Sequence, residues 1–504
     1  MTHAGIRLRN CLIFFHRWFG VLVCLVFLIW FASGAILMYW DFPGVNAADR
    51  LGREPVLDGS RILISPDAAF KLLQTDRPPD ELHLVTFDGH PVYRFVFEGE
   101  PQMVRADDGL ILSEFPPQLT LRIAAAWTGL PPADAKAEAN TEEDQWTVAG
   151  EFQAWRPLRK YSWPNGEEVY VSTVTGDVVQ YTTRSSRIGA YLGAIPHWLY
   201  FTPLRKHGPT WRRVVIWTSG LGTITALLGF IIGVWIYSPA KRFPGGGTPA
   251  RIPYTGQKRW HLILGLFFGP LAISWVFSGM LSMDPFLKMQ SGNSQATEAP
   301  LAEALRGSPI RLTAYDAKPP REAIRQAAAA FEVRELELTS LAGQPYFLAT
   351  GESHQQLVIP LDGEPTSEFD RTKIFDVLRK AASPNELTAI RAVTEYESYY
   401  LDRRNRLPLP ALFVQLNDSE RSMYYVDPKT ARIVRSYNLH SRWNRWFYRG
   451  LHSIDLPWLY KHRPAWDIVV LVLLAGGESL CVTSFLLAWS VVGRKVRGNL
   501  ERPS

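Results

Sequence analysis

Leu192–Tyr237, LGAIPHWLYFTPLRKHGPTWRRVVIWTSGLGTITALLGFIIGVWIY, sets a basic, aromatic, histidine-bearing approach directly before an apolar run long enough to cross a bilayer. The same plan returns near the C-terminus as GLHSIDLPWLYKHRPAWDIVVLVLLAGGESLCVTSFLLAWSVV. An offset of 255 residues carries His197 onto His452, Lys206 onto Lys461, His207 onto His462, Pro209 onto Pro464 and Trp211 onto Trp466. Two further apolar segments match at an offset of 245. There His16 falls on His261, Gly20 on Gly265, Trp30 on Trp275, Ser33 and Gly34 on Ser278 and Gly279, and Met38 on Met283. One register kept over 23 positions reads as a duplication. Two halves of parallel topology, related by a pseudo-twofold along the membrane normal, are the expectation.

Working outward, the apolar windows predict membrane spans at 11–40, 211–237, 260–283 and 466–492. The run behind Arg7 and Arg9 is too long for a signal-peptide core and no A-x-A site closes it, so it reads as an uncleaved anchor. Short-loop basic residues set the orientation. Arg7, Arg9 and Arg17 precede or open the first span; Lys241, Arg242, Arg251, Lys258 and Arg259 fill the connection 238–259, with no acid; Arg494, Lys495, Arg497 and Arg502 outweigh Glu501 in the tail 493–504. These segments are expected in the cytoplasm, which puts the long segments 41–210 and 284–465 outside. The net charge of +6 is then a matter of topology, and no basic-aromatic recognition motif points to nucleic acid. Cys11, Cys24 and Cys481 all fall in or beside spans, so no disulfide framework is expected.

The exterior segments read as small α+β domains. Ser65-Pro66-Asp67 opens a helix running to Leu73, followed by strands HLVTF, PVYRFVFEG and QMVRADDGLILSEF, with turns at Asp88-Gly89 and Asp108-Gly109. The second segment repeats the order: a helix over Arg321 to Phe331, then ELELTSLAGQPYFLATG and HQQLVIPLDGEPTSEF. One more hairpin closes each segment, EEVYVSTVTGDVVQYT and RSMYYVDPKTARIVRSYN, while 131–145 and 287–308 read as polar, mobile connections.

The unit of helix, G-x-P-V-Y-x-F and a strand closing on D-x-G-x-I-L resembles the PepSY domain. KRWHLILGLFFGPLAISWVFSGMLSMDPF and RWFYRGLHSIDLPWLYKHRPAWD resemble the PepSY-associated transmembrane family. The resemblance covers nearly the whole chain. It implies a bacterial inner-membrane protein of iron uptake, similar to haem-containing reductases of ferric siderophores. Where related sequences often carry histidines before an L-P-L-P segment, this chain departs from the pattern with Arg403-Arg404-Asn405-Arg406-Leu407-Pro408, so the resemblance carries no ligand over to that loop.

Histidines inside a bilayer are functional candidates, because an unpaired polar ring is costly there. Imidazole is the usual axial ligand of haem b, and two histidines on different helices clamp one porphyrin. The repeats pair His16 with His261 toward the cytoplasmic side and His197 with His452 toward the exterior, predicting two bis-histidine haems b. No C-x-x-C-H offers covalent attachment. His207 and His462 are alternative exterior ligands. Arg205, Lys206, Arg212, Arg213, Lys461 and Arg463 form a cationic rim suited to haem propionates, an anionic chelate or lipid headgroups. Trp30 and Trp275 are deep enough to pack on a porphyrin, and Glu478 is an isolated acid within a span, suited to proton uptake, a quinol site or a bond to a neighbouring helix. His3, His83, His90, His354 and His440 have no repeat partner and read as surface residues.

H-E-x-x-H, G-x-S-x-G, Walker and G-x-G-x-x-G motifs are absent, and Gly245-Gly246-Gly247 reads as a turn. Electrons must then come from quinol or a cytoplasmic reductase. The sequence thus reads as a haem b oxidoreductase carrying electrons outward to a ferric siderophore or other iron chelate. The alternative is a membrane-anchored PepSY binding module without redox activity.

Overall fold

The computed structural model describes residues 3–138, 143–237, 252–285, 294–307, 309–352 and 355–500; Lys241, Arg242, Arg251, the Gly245-Gly246-Gly247 turn, His354, Glu501 and Arg502 lie outside them. Four helices are long and apolar enough to cross a bilayer: His3–Leu37, Gly208–Ile236, Gly256–Leu281 and the one that starts at Ala465. The chain divides into two compact units. One holds these four spans with residues 1–42, 185–291 and 443–504; the other holds 43–184 and 292–442.

In the span unit, the first and third helices each pack against the second and fourth, so the first and third face each other across the bundle. Leu22, Trp217 and Phe267 point outward and exposed, as suits helices whose solvent is hydrocarbon. Close approach rests on small residues. Gly476 and Gly477 of the fourth span lie under the rings of Phe268 and Phe31, where any Cβ would collide.

The second unit is α+β and antiparallel. Its first segment gives β1 (Glu81–Phe87), β2 (His90–Phe97), β3 (Glu100–Arg105) and β4 (Ile111–Leu112), then β5 (Lys136–Glu138), β6 (Leu158–Ser162), β7 (Glu168–Ser172) and β8 (Val178–Thr182). Its second gives β9 (Val333–Leu341), β10 (Gln344–Gly351) and β11 (Gln356–Pro360), then β12 (Leu387–Val393), β13 (Ala411–Leu416), β14 (Met423–Asp427) and β15 (Arg432–Tyr437). The expected first strands and the helix capped by Ser65 are present. Asp88 and Gly89, both at positive φ, make the tight β1–β2 turn.

The two segments do not close separate first sheets. β1 pairs antiparallel with β9, and one seven-stranded sheet runs β11-β10-β9-β1-β2-β3-β4. The period-2 alternation explains the join. Leu82 and Leu84 lie opposite Leu338 and Leu336, all fully buried, in one core beneath the helices Pro66–Leu72 and Pro320–Ala327. The closing hairpins are halves of larger sheets, β5-β6-β7-β8 and β12-β13-β14-β15. The expected mobile connections also differ. Lys136–Glu138 is an edge strand, and Ser294–Arg306 is a helix that buries Leu301 and Leu305, one turn apart, in a core.

His83 is a correction: it is not a surface residue. On the sheet face opposite the leucines, its Nδ1 meets Glu335 at 2.5 Å and its Nε2 meets Glu81 at 3.4 Å. Burial alone would depress the imidazole, but bonds to Glu335 and Glu81 override it and push His83 up to about 10. The bond from His83 brings Glu81 down to about 2. A raised folded value means that His83's contribution to stability is complete below about 6.5 and is lost as pH rises through about 10. Glu81's contribution is complete above about 4.5 and is lost as pH falls through about 2. Thermal unfolding followed by circular dichroism should therefore show a melting temperature that declines across the alkaline window, and His83→Gln should flatten that decline.

Candidate cofactor site

The four repeat-matched histidines come together in two pairs inside the span unit. His16 of the first span and His261 of the third have ring centres 6.1 Å apart, with planes inclined by 32°. His197, on a short helix before the second span, and His452, just beyond a π-helical turn at Arg445–Gly450, have ring centres 6.0 Å apart, inclined by 58°. No group of three or more histidines, cysteines or acids with metal-site geometry occurs among the described residues. The imidazoles meet as pairs.

Each ring is oriented through Nδ1. His197 Nδ1 donates to Trp30 O at 3.1 Å and lies 3.3 Å from Ser33 Oγ. His452 repeats this with Trp275 O at 3.1 Å and Ser278 Oγ at 3.2 Å. His16 Nδ1 donates to Thr225 O of the second span at 3.0 Å. A carbonyl only accepts, so Nδ1 carries the hydrogen in all three rings, and in His16 and His197 that tautomer leaves the lone pair on Nε2, the nitrogen that could bind a metal. For His261 the partners are Thr483 Oγ1 at 3.2 Å and Ser484 Oγ at 3.4 Å. Both hydroxyls already donate to Leu480 O, which leaves their oxygens to accept from His261.

Glycine makes room for these rings. A Cβ at Gly34 would stand 3.3 Å from His197 Cε1, and one at Gly279 would stand 3.4 Å from His452 Cε1. At Gly229 it would come within 2.5 Å of His16 Cε1.

The ring-centre spacing of both pairs is compatible with an iron held between two imidazoles. Metal–imidazole bonds of about 2.0–2.1 Å, with a ring nitrogen about 1.1 Å from its ring centre, put the two centres about 6.4 Å apart. The observed 6.0 and 6.1 Å lie close to this. Beside the first pair lies a cavity of about 350 Å³, lined by His16, His261, Gly20, Gly229, Gly265 and Cys24. The charged residues in its lining are Arg17, Lys258 and Arg494, all cations, which suits a flat apolar group carrying carboxylates. The indole N–H groups of Trp30 and Trp275, the residues whose carbonyls hold the second pair, are buried with no hydrogen-bond partner among the described residues.

Several expected ligands take other places. His207 and His462 stay exposed at the starts of the second and fourth spans, where His462 Nδ1 donates to Trp458 O at 2.6 Å. Arg212 is committed to the carbonyls of Met283 and Asp284 at the end of the third span, at 2.9 and 2.5 Å. Arg205 lies over the rings of Tyr200 and Trp211, and Arg213 bonds Pro209 O on its own helix. Lys206 and Lys461 are exposed, and Arg463 pairs with Asp467 at 3.3 Å. Sequence reading missed the cavity cations. Arg17 and Lys258 stand beside His16 and one turn before His261, but their charge serves orientation equally well and hides the second role.

No family model matches the chain, and no curated protein matches it.

The crowding at Gly229 gives a contrast with Gly20, which has nothing within 4 Å of its Cβ position. Gly229→Ala should push His16 off Thr225 O and cost about 1–3 kcal/mol. Gly20→Ala should be neutral or slightly stabilising. Thermal unfolding of the two variants in detergent measures the difference.

Proposed function

We propose that the chain is a haem b oxidoreductase of the bacterial inner membrane that carries electrons outward to reduce a ferric siderophore or similar iron chelate, releasing Fe(II). The observation that supports this reading most is the pairing of four histidines at metal-spanning distance, each with Nδ1 held by an acceptor. The resemblance to the PepSY-associated transmembrane family points the same way. On this reading both termini are cytoplasmic, the α+β unit is periplasmic, and the halves descend from a duplication.

Haem supplies reversible one-electron chemistry when bound. The chain's residues do the rest. His16 and His261 would hold one group and His197 with His452 another, while Arg17, Lys258 and Arg494 would neutralise carboxylates at the first. Along the first span, His16 and Gly34, the residue against His197, are separated by about 27 Å of helix rise. Two sites at those levels divide a bilayer crossing that one site could not shorten. Phe27 and Trp30, stacked at 6.2 Å, and Phe31 against Trp275 at 5.5 Å fill the interval with aromatic rings. Quinol or a cytoplasmic reductase would supply the electrons. Ferrous iron leaves because hard oxygen donors hold it less tightly than ferric iron.

Absorption spectra of the detergent-purified protein before and after dithionite test the proposal. Low-spin haem bands at two haems per chain are expected, with about half the haem lost in His16→Ala and the other half in His452→Ala. A colourless protein after haem-replete expression would leave a membrane-anchored binding module instead.

A further inference from the structure

Glu478 sits in the fourth span between the two histidine levels. Leu474, one turn before it, lies beside Gly34 at the level of His197, and Thr483 and Ser484, beyond it, hold His261. Its Oε2 is buried and has no hydrogen-bond partner among the described residues. Nearby hydroxyls are already committed, Ser479 to Ala475 O at 2.8 Å and Thr483 and Ser484 to Leu480 O. The titratable group that faces it is Cys481 on the same helix, which in turn faces Cys24 of the first span, while His261 of the third span is held by Thr483, five residues further along. Cys24 and Cys481 both line the His16–His261 cavity, which therefore reaches within one turn of Glu478.

An acid kept in a span without a partner is costly unless something compensates its charge. We propose that Glu478 is the proton-loading group of the electron path: it binds a proton through the His16–His261 cavity when an electron arrives and releases it when the electron leaves. The inference rests on the haem reading. A ferric haem held by two of these histidines would carry one net positive charge, which would favour a carboxylate placed between the two histidine levels. One electron from the quinol or reductase donor removes that charge. The carboxylate is then left uncompensated and takes one proton from water, becoming the acid. Transfer of the electron to the ferric chelate restores the positive charge, and the proton departs. Electron and proton each enter and leave once per cycle.

The test uses the full-length haem-loaded protein in nanodiscs, by spectroelectrochemical titration over a pH series and reduced-minus-oxidised infrared difference spectra. The wild type should show at least one midpoint potential that falls as pH rises, and a carboxylic acid C=O band that appears on reduction. Glu478→Gln should abolish both, while Glu478→Asp should keep the pH dependence and shift the band. Potentials independent of pH in the wild type, or a dependence and band unchanged in Glu478→Gln, would overturn the inference. If Glu478→Gln takes up no haem, the Asp variant decides: a band that stays in place belongs to another group and overturns it. Absence of haem from the wild type is a separate result, and it overturns the underlying reading instead.

Discussion

The arrangement depends on a hydrogen bond made four times: the Nδ1–H of a histidine held by an acceptor on a neighbouring segment of the bundle. Three times the acceptor is a main-chain carbonyl, of Trp30, Trp275 or Thr225; once it is the hydroxyl pair of Thr483 and Ser484. Carbonyl acceptance within a helix uses an oxygen's second lone pair, so no helical bond is lost. The bond fixes both the ring's orientation and its tautomer. Glycines at Gly34, Gly279 and Gly229 are the counterpart, because a methyl group at Gly229 would evict the ring from its acceptor. Helix packing and the placement of the histidine rings are thus one constraint.

Much of this was legible in the sequence, since the signals were periodic or repeated. Four apolar segments announced four spans, although the first helix begins at His3, ahead of its apolar run, as the basic turn simply continues the helix. The 245 and 255 offsets placed His16 with His261 and His197 with His452, and alternation in ELHLVTF and PVYRFVF gave β1 and β2. Ser65-Pro66 marked a helix start that the Ser65 side chain does cap.

What stayed hidden is long-range. The β1–β9 join depends on which edge strand meets which, and neither edge carries a local mark of its partner. His83 looked like a solvated residue because its carboxylate Glu335 lies 252 positions away. Ser294–Arg306 hid its helix by having so few apolar residues that Leu301 and Leu305 do not stand out as a stripe. The strand Leu158–Ser162, with Arg159 and Lys160 at its centre, was obscured in the same way.

The central claim is that each histidine pair grips one iron from both sides. Low-temperature electron paramagnetic resonance of the oxidised, haem-replete protein tests it most directly, because bis-imidazole ferric haem is low-spin and its signal responds to the angle between the ring planes. With planes inclined by 32° in one pair and 58° in the other, two distinct low-spin signals are expected, one lost in His261→Ala and the other in His197→Ala. High-spin ferric signals in the wild type, or low-spin signals that survive both substitutions, would contradict it.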